Sequence, residues 1–135
     1  MVFGNLWTVR KKYLCHNLTA LTLISVFSSL AFLYYGISCL TLSHMKVEFE
    51  RFGLTATERK ITGVTQIIGS VLILIGTFKP WLGFLGALGL SIQMTLGVRQ
   101  RIKVKDRFHL MLPALFFSIL TGYLAYLFYF QLHSR

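Results

Sequence analysis

The sequence predicts an all-α membrane protein, a four-transmembrane-helix up-down bundle with a glycine-rich central hairpin, forming one domain over residues 1–135. Three observations carry this prediction. Four apolar runs, at residues 18–42, 61–78, 81–98 and 110–132, contain no Asp, Glu, Lys or Arg. An uncharged stretch of about 18 residues or more is long enough, as a helix, to cross a hydrocarbon core of about 30 Å. The second observation is charge: 14 Lys or Arg and 4 Asp or Glu are too few to coat a soluble globule of this length. The third is Lys79-Pro80, which separates two runs of equal length. Proline cannot continue a helix and disfavours helical geometry in the residue before it, so these two residues imply a tight antiparallel turn.

Before the first run stand Arg10, Lys11 and Lys12, as in a signal peptide. The run that follows is too long for one and lacks a small-residue cleavage site, so it reads as a retained helix. A short interfacial helix over residues 3–14 is expected ahead of it. The first span, 18–42, holds several Ser and Thr whose hydroxyls can return to backbone carbonyls. Cys15 and Cys39 are separated by about 36 Å of helix, which excludes a disulfide.

Residues 43–60 form the longest connection. Phe49 and Phe52 can share one face of a short helix at the membrane surface, with Gly53 as its stop. Thr55-x-x-Glu58 has capping-box spacing, so the next helix is expected to begin near Ala56. His44 and Glu48 have the spacing of a metal pair, but two ligands are too few, and no metal site is assigned.

In the central hairpin, residues equidistant from Lys79-Pro80 lie at one depth, which puts Gln66 level with Gln93. Gly63, Gly69 and Gly76 on the second span, and Gly83, Gly86, Gly89 and Gly97 on the third, are the candidate helix-packing residues. Small residues let backbones approach, which is how helices associate in lipid. Two readings of the glutamines stand side by side. They either satisfy each other as interhelical glue or line a polar ligand-binding site.

Arg99, Arg101, Lys103, Lys105 and Arg107 form a basic connection suited to lipid headgroups, and Asp106 can cap the last helix. The last span carries Pro113 in its early turns, where it frees a backbone carbonyl. The two longer loops carry nine Lys or Arg against five on the terminal face, Arg10, Lys11, Lys12, Lys79 and Arg135. That asymmetry favours cytoplasmic loops at 43–60 and 99–107 with both termini outside. The net charge of +10 thus reflects loops beside anionic lipid, and a nucleic-acid partner is excluded.

The segments Phe49-Glu-Arg-Phe-Gly-Leu54, Lys60-Ile-Thr-Gly-Val-Thr-Gln-Ile-Ile-Gly69, Gly76-x-x-Lys-Pro-Trp81 and Arg101-Ile-Lys-Val-Lys-Asp106, in this order and spacing, resemble the DoxX-like family of small four-helix membrane proteins. The resemblance implies a multi-pass bundle in a cytoplasmic (inner) membrane of bacterial type. Among the relatives it implies are a membrane subunit of a thiosulfate:quinone oxidoreductase and assembly chaperones for receptors. Family members often carry an acid near the position of Gln66, so the amide here speaks against borrowing a proton- or cation-coupled role.

No nucleophile–base pair, metal cluster or phosphate loop is legible, so no catalytic residue is assigned. The reading that follows is a non-enzymatic accessory subunit or assembly factor. It binds a membrane-protein partner, a second copy of itself or lipid through helix faces and basic loops. The alternative is a quinone-associated subunit of a redox complex, with Gln66, Gln93 and nearby aromatics holding a quinone as cofactor.

Overall fold

The computed structural model describes residues 2–133, so Arg135 lies outside the described residues. It contains five helices: α1 (Val2–Thr41), α2 (Ser43–Arg51), α3 (Ala56–Gly76), α4 (Pro80–Lys103) and α5 (Phe108–His133), with no strand among the described residues. By length and composition α1, α3, α4 and α5 can each cross a membrane, and α2 is too short.

The first span differs from its expected form. Residues 3–14 are not a separate interfacial helix, because α1 runs without a break for 40 residues. At the helical rise this is about 60 Å, roughly twice the hydrocarbon thickness. The reason is local, since no proline interrupts α1 and its only glycines are Gly4 and Gly36. Residues 4–19 are exposed, so Arg10, Lys11 and Lys12 ride on a rod that extends past the packed bundle.

The helix ends follow from particular residues. Gly53 adopts φ 72°, in the left-handed region. Its N–H donates to the Glu50 carbonyl at 2.9 Å, and the Leu54 N–H donates to the Phe49 carbonyl at 2.9 Å, closing a Schellman motif on α2. α3 begins at Ala56 under a complete capping box. The Thr55 hydroxyl accepts from the Glu58 N–H at 3.3 Å, and the Glu58 carboxylate accepts from the Thr55 N–H at 2.7 Å. Pro80 opens α4, where a missing N–H costs no hydrogen bond.

α4 continues five residues past Val98, so Arg99 to Lys103 are helical rather than part of a loop. It closes on a second Schellman motif, from Lys105 to the Ile102 carbonyl and from Asp106 to the Arg101 carbonyl, both at 3.0 Å. Here Lys105, at φ 56°, takes the left-handed position that glycine takes after α2.

α3 packs against α1 on one side and α4 on the other, α4 packs against α5, and α5 touches α1. Arg59, Gly63, Gln66, Ser70 and Ile73 are buried along α3 at spacings of three and four. Leu21, Ser25, Ser28, Phe32 and Cys39 on α1 show the same rhythm, the one by which two helices mesh side chains along a shared seam. At the crossing, a Cβ on Gly36 would lie 2.8 Å from the Gly63 carbonyl oxygen, and one on Gly63 2.9 Å from that of Gly36.

Between α3 and α4 the contacts are closest near the turn. A Cβ on Gly76 would run into the Gly83 backbone, and one on Gly86 would lie 2.8 Å from Leu72 Cβ and 3.0 Å from the Gly69 carbonyl oxygen. Phe128 of α5 lies over Gly83. The Phe117 ring of α5 sits 5.3 Å from that of Phe32 and 6.0 Å from that of Tyr35, which joins α5 to α1.

These contacts make the glycines unequal. Gly76→Ala and Gly83→Ala should each lower stability by about 1–3 kcal/mol through overpacking. At Gly89 a Cβ would meet nothing within 4 Å. Gly89→Ala should therefore be neutral, or gain up to about 1 kcal/mol of helix propensity. Thermal unfolding of the three variants in one detergent checks the ranking.

Candidate functional site

The side chains with chemistry to offer gather in two places, the outer face between α3 and α4 and the end of the bundle that carries the longer connections. Gln66 and Gln93 do not meet. Gln66 is 4% exposed and turns toward α1, where a Cβ on Gly36 would lie 3.3 Å from Gln66 Cβ. Its Oε1 is buried without a hydrogen-bond partner. Gln93 bonds across to α3 instead. Its Nε2 donates to the Thr62 carbonyl at 3.0 Å, and its Oε1 accepts from the Thr65 hydroxyl at 3.2 Å. Reciprocal pairing is thus replaced by one amide that ties α4 to α3 and another inserted between α1 and α3. Equal depth in two helices does not fix which way each side chain points.

Gln93 stands in a groove of about 430 Å³ between α3 and α4. Ile61, Thr62, Thr65, Ile68, Gly69 and Leu72 line its α3 wall. Leu85, Gly86, Gly89, Leu90, Ile92 and Leu96 line the α4 wall with Gln93. None of these is aromatic, so no ring stands beside Gln93 to stack on a planar head. Gly89 opens onto the groove and Gly97 meets nothing within 4 Å, so neither makes the close helix contact made by Gly63, Gly69, Gly76, Gly83 and Gly86.

At the loop end, Asp106 is the hub of an ionic cluster. Its carboxylate accepts from Arg51 Nη1 at 2.6 Å and Nη2 at 3.0 Å, and from Arg101 Nη1 at 3.0 Å. Glu48 lies 3.3 Å from Arg51 and 3.6 Å from Arg101, and the Phe52 ring takes both guanidinium carbons at 5.3 Å. The Asp106 side chain is 4% exposed. The cap expected of Asp106 on α5 is therefore not its role, since two arginines from α2 and α4 take its oxygens. The hydrogen bond from Arg51 is the main reason its carboxyl is held below the ordinary range. Of the five basic residues assigned to headgroups, Arg101 is spent in this cluster, and Arg99, Lys103, Lys105 and Arg107 are exposed.

Arg59 was legible only as a loop cation, yet it is 5% exposed. Its guanidinium donates to the Cys39 carbonyl, one of the last four of α1, which a helix leaves without internal partners. A cation there also suits the negative end of the helix dipole. The available signal was a basic residue in the first turn of α3, set against an α1 whose own last turn carries none.

Two tests follow. Gln93→Leu should cost about 1 kcal/mol or less, and Gln66→Leu should be neutral or stabilising because it removes an unpartnered oxygen. The double mutant should equal the sum of the singles within about 0.5 kcal/mol, since the amides share no partner. A thermal-unfolding cycle in detergent reads this out. For Asp106 the folded pKa lies below the unfolded one, near 3.9. Its contribution is therefore fully present above about pH 5 and is lost as pH falls through the folded value. Asp106→Asn should lower the melting temperature at pH 7, and the gap to the unmodified chain should narrow as pH falls through the folded value.

Comparison with curated proteins and with solved structures gives no match. The sequence model of the DoxX-like family matches residues 21–128, which takes in all of α2, α3 and α4, about half of α1 and most of α5. With four helices apolar enough to span a membrane, this is a multi-pass membrane protein, and the chain belongs to the DoxX-like family.

Proposed function

We propose that the chain is a non-enzymatic accessory protein of the cytoplasmic (inner) membrane, a subunit or assembly factor that binds a partner protein or lipid through the α3–α4 face and its basic end. In this reading the four spans form an up-down bundle with the glycine-rich α3–α4 hairpin at its centre. Both termini lie outside, and the connections at 43–60 and 99–107 face the cytoplasm, where positive loops concentrate. The groove of about 430 Å³ that opens sideways between α3 and α4 carries the proposal. A concave surface facing lipid is suited to recognition within the plane of the membrane. The polar groups around it support binding rather than turnover, because the Gln93 amide and the Thr65 hydroxyl are engaged in joining α3 to α4.

A quinone-associated redox subunit is the second reading. It is favoured by the Gln93 amide at the groove and weakened by the groove's aliphatic lining and by Gln66 turning toward α1. A photoreactive residue placed at Leu85 or Ile92 inside the groove, or at Phe116 or Ile119 on the exposed face of α5, tests the main reading in cells. A discrete adduct, protein or lipid, is expected from the groove positions and not from the α5 positions. Equal labelling at all four positions defeats the proposal.

A further inference from the structure

The groove has a length and a charged mouth that together define an occupant. Its walls run from Ile61 to Leu72 on α3 and from Leu85 to Leu96 on α4, which is about 16 Å at the helical rise. That is close to one leaflet of a hydrocarbon core of about 30 Å. At the inner end the groove is shut by the backbone contact of Gly76 with Gly83 and by the packing of Gly86 on Leu72. Toward the loop end glycine contact gives way, and a whole amide side chain, Gln93, spans the gap to Thr62. A transmembrane helix from a second copy would use a furrow as long as the bilayer is thick. This groove ends at mid-membrane, where an acyl chain ends.

The mouth supplies charge. Leu85, Gly89, Ile92 and Leu96 line the groove at spacings of three and four, and the same stripe of α4 continues to Arg99 and Lys103, both exposed. They rise about 4.5 and 10.5 Å beyond Leu96, which brackets the headgroup layer. Asp106 and Glu48 engage Arg51 and Arg101, so among the described residues no carboxylate pairs with Arg99 or Lys103. Within the groove, Gln93 Nε2 keeps one N–H beyond its bond to Thr62, available to an ester carbonyl.

We infer that the α3–α4 groove holds one acyl chain of an anionic glycerophospholipid, with the phosphate taken by Arg99 and Lys103. The inference rests on the reading of the α3–α4 face as a binding surface and names its ligand. Native mass spectrometry of the full chain tests it, with added phosphatidylglycerol and phosphatidylcholine of identical acyl chains. Phosphatidylglycerol should be retained at one per chain at a concentration at least tenfold below that needed for phosphatidylcholine. The double variant Arg99→Gln, Lys103→Gln should erase this preference. Gly89→Leu points into the open groove and should weaken retention of both lipids at least tenfold, with an unchanged melting temperature showing that the fold survives. Equal retention of the two lipids by the unmodified chain overturns the inference. So does retention indifferent to Gly89→Leu, which marks annular lipid, and so does a dimer mass that Gly89→Leu converts to monomer. A protein adduct from Leu85 or Ile92 in cells, found together with equal lipid retention, would leave the binding-surface reading standing and remove only this one.

Discussion

Lipid gives apolar helices no hydrophobic reason to associate, so close backbone contact must do the work that core burial does in water. In this chain that contact is made at glycine, chiefly along α3, with a further instance between α4 and α5. Gly63 meets Gly36 of α1, Gly69 and Gly76 meet Gly86 and Gly83 of α4, and Phe128 of α5 settles over Gly83. The remaining core side chains, among them Phe32, Ile73, Leu90 and Leu124, are buried because these approaches bring the helices close enough to enclose them. α3 seats α1 and α4 through its glycines, and α5 packs in turn on α4.

Hydrogen bonds add a second layer in the same medium. Most hydroxyls in the spans return to a carbonyl of their own helix, but Ser29 donates to the Ser70 carbonyl at 2.7 Å and Ser91 to the Ser118 carbonyl at 3.2 Å, joining α1 to α3 and α4 to α5. Such bonds are worth little individually, about 0.6 kcal/mol on average in measured cases. Their larger effect is on register, because a hydroxyl reaches a neighbour's carbonyl at only one axial offset. At the loop end the task passes to charge. Asp106 gathers Arg51 and Arg101 from helices that are distant in sequence, which holds α2 against the α4–α5 turn.

Much of this was legible along the chain and less of it around each helix. Uncharged runs announce spans because charge in hydrocarbon is costly. Thr55 with Glu58 and Gly53 mark helix ends because capping is local chemistry. Family membership was likewise legible, in four short segments between Phe49 and Asp106 that lie inside the matched region 21–128. What failed was azimuth. Gln66, Gly69, Ile73 and Gly76 occupy an arc of about 80° on α3 at 100° per residue, which reads as one face. That arc is divided between two neighbours. Gly69 and Gly76 serve α4, while Gln66 turns to Gly36 of α1, a glycine with no visible counterpart in the α3–α4 symmetry. The pairing of Arg51 with Asp106 was out of reach for another reason, since contacts that far apart in sequence depend on the completed fold. The continuity of α1 was missed because polar residues before an apolar run suggest a boundary, whereas a helix ends only where a residue breaks it.

The uneven spread of glycine contacts along α3 and α4 also accounts for the groove. Near the turn, glycine faces glycine and the backbones touch. Ten residues beyond Gly83 along α4, Gln93 spans the gap that no glycine contact closes. With the pair pinned by glycine at one end and bridged by a long side chain toward the other, the space that remains lies on the half nearer the basic residues. Gly89 and Gly97 lie on this half, where an added Cβ would meet nothing within 4 Å, so the residue type that closes the pair at one end leaves it open at the other. A glycine brings backbones into contact where its partner is also glycine, as at Gly76 and Gly83, and elsewhere admits a neighbour's side chain, as Gly69 admits Leu90. Where no neighbour comes close, as at Gly89, it leaves space. The same composition therefore produces both the backbone contact of Gly76 with Gly83 and the opening at Gly89, with the Gly86 contact on Leu72 and the Gly69 carbonyl marking the change from one to the other.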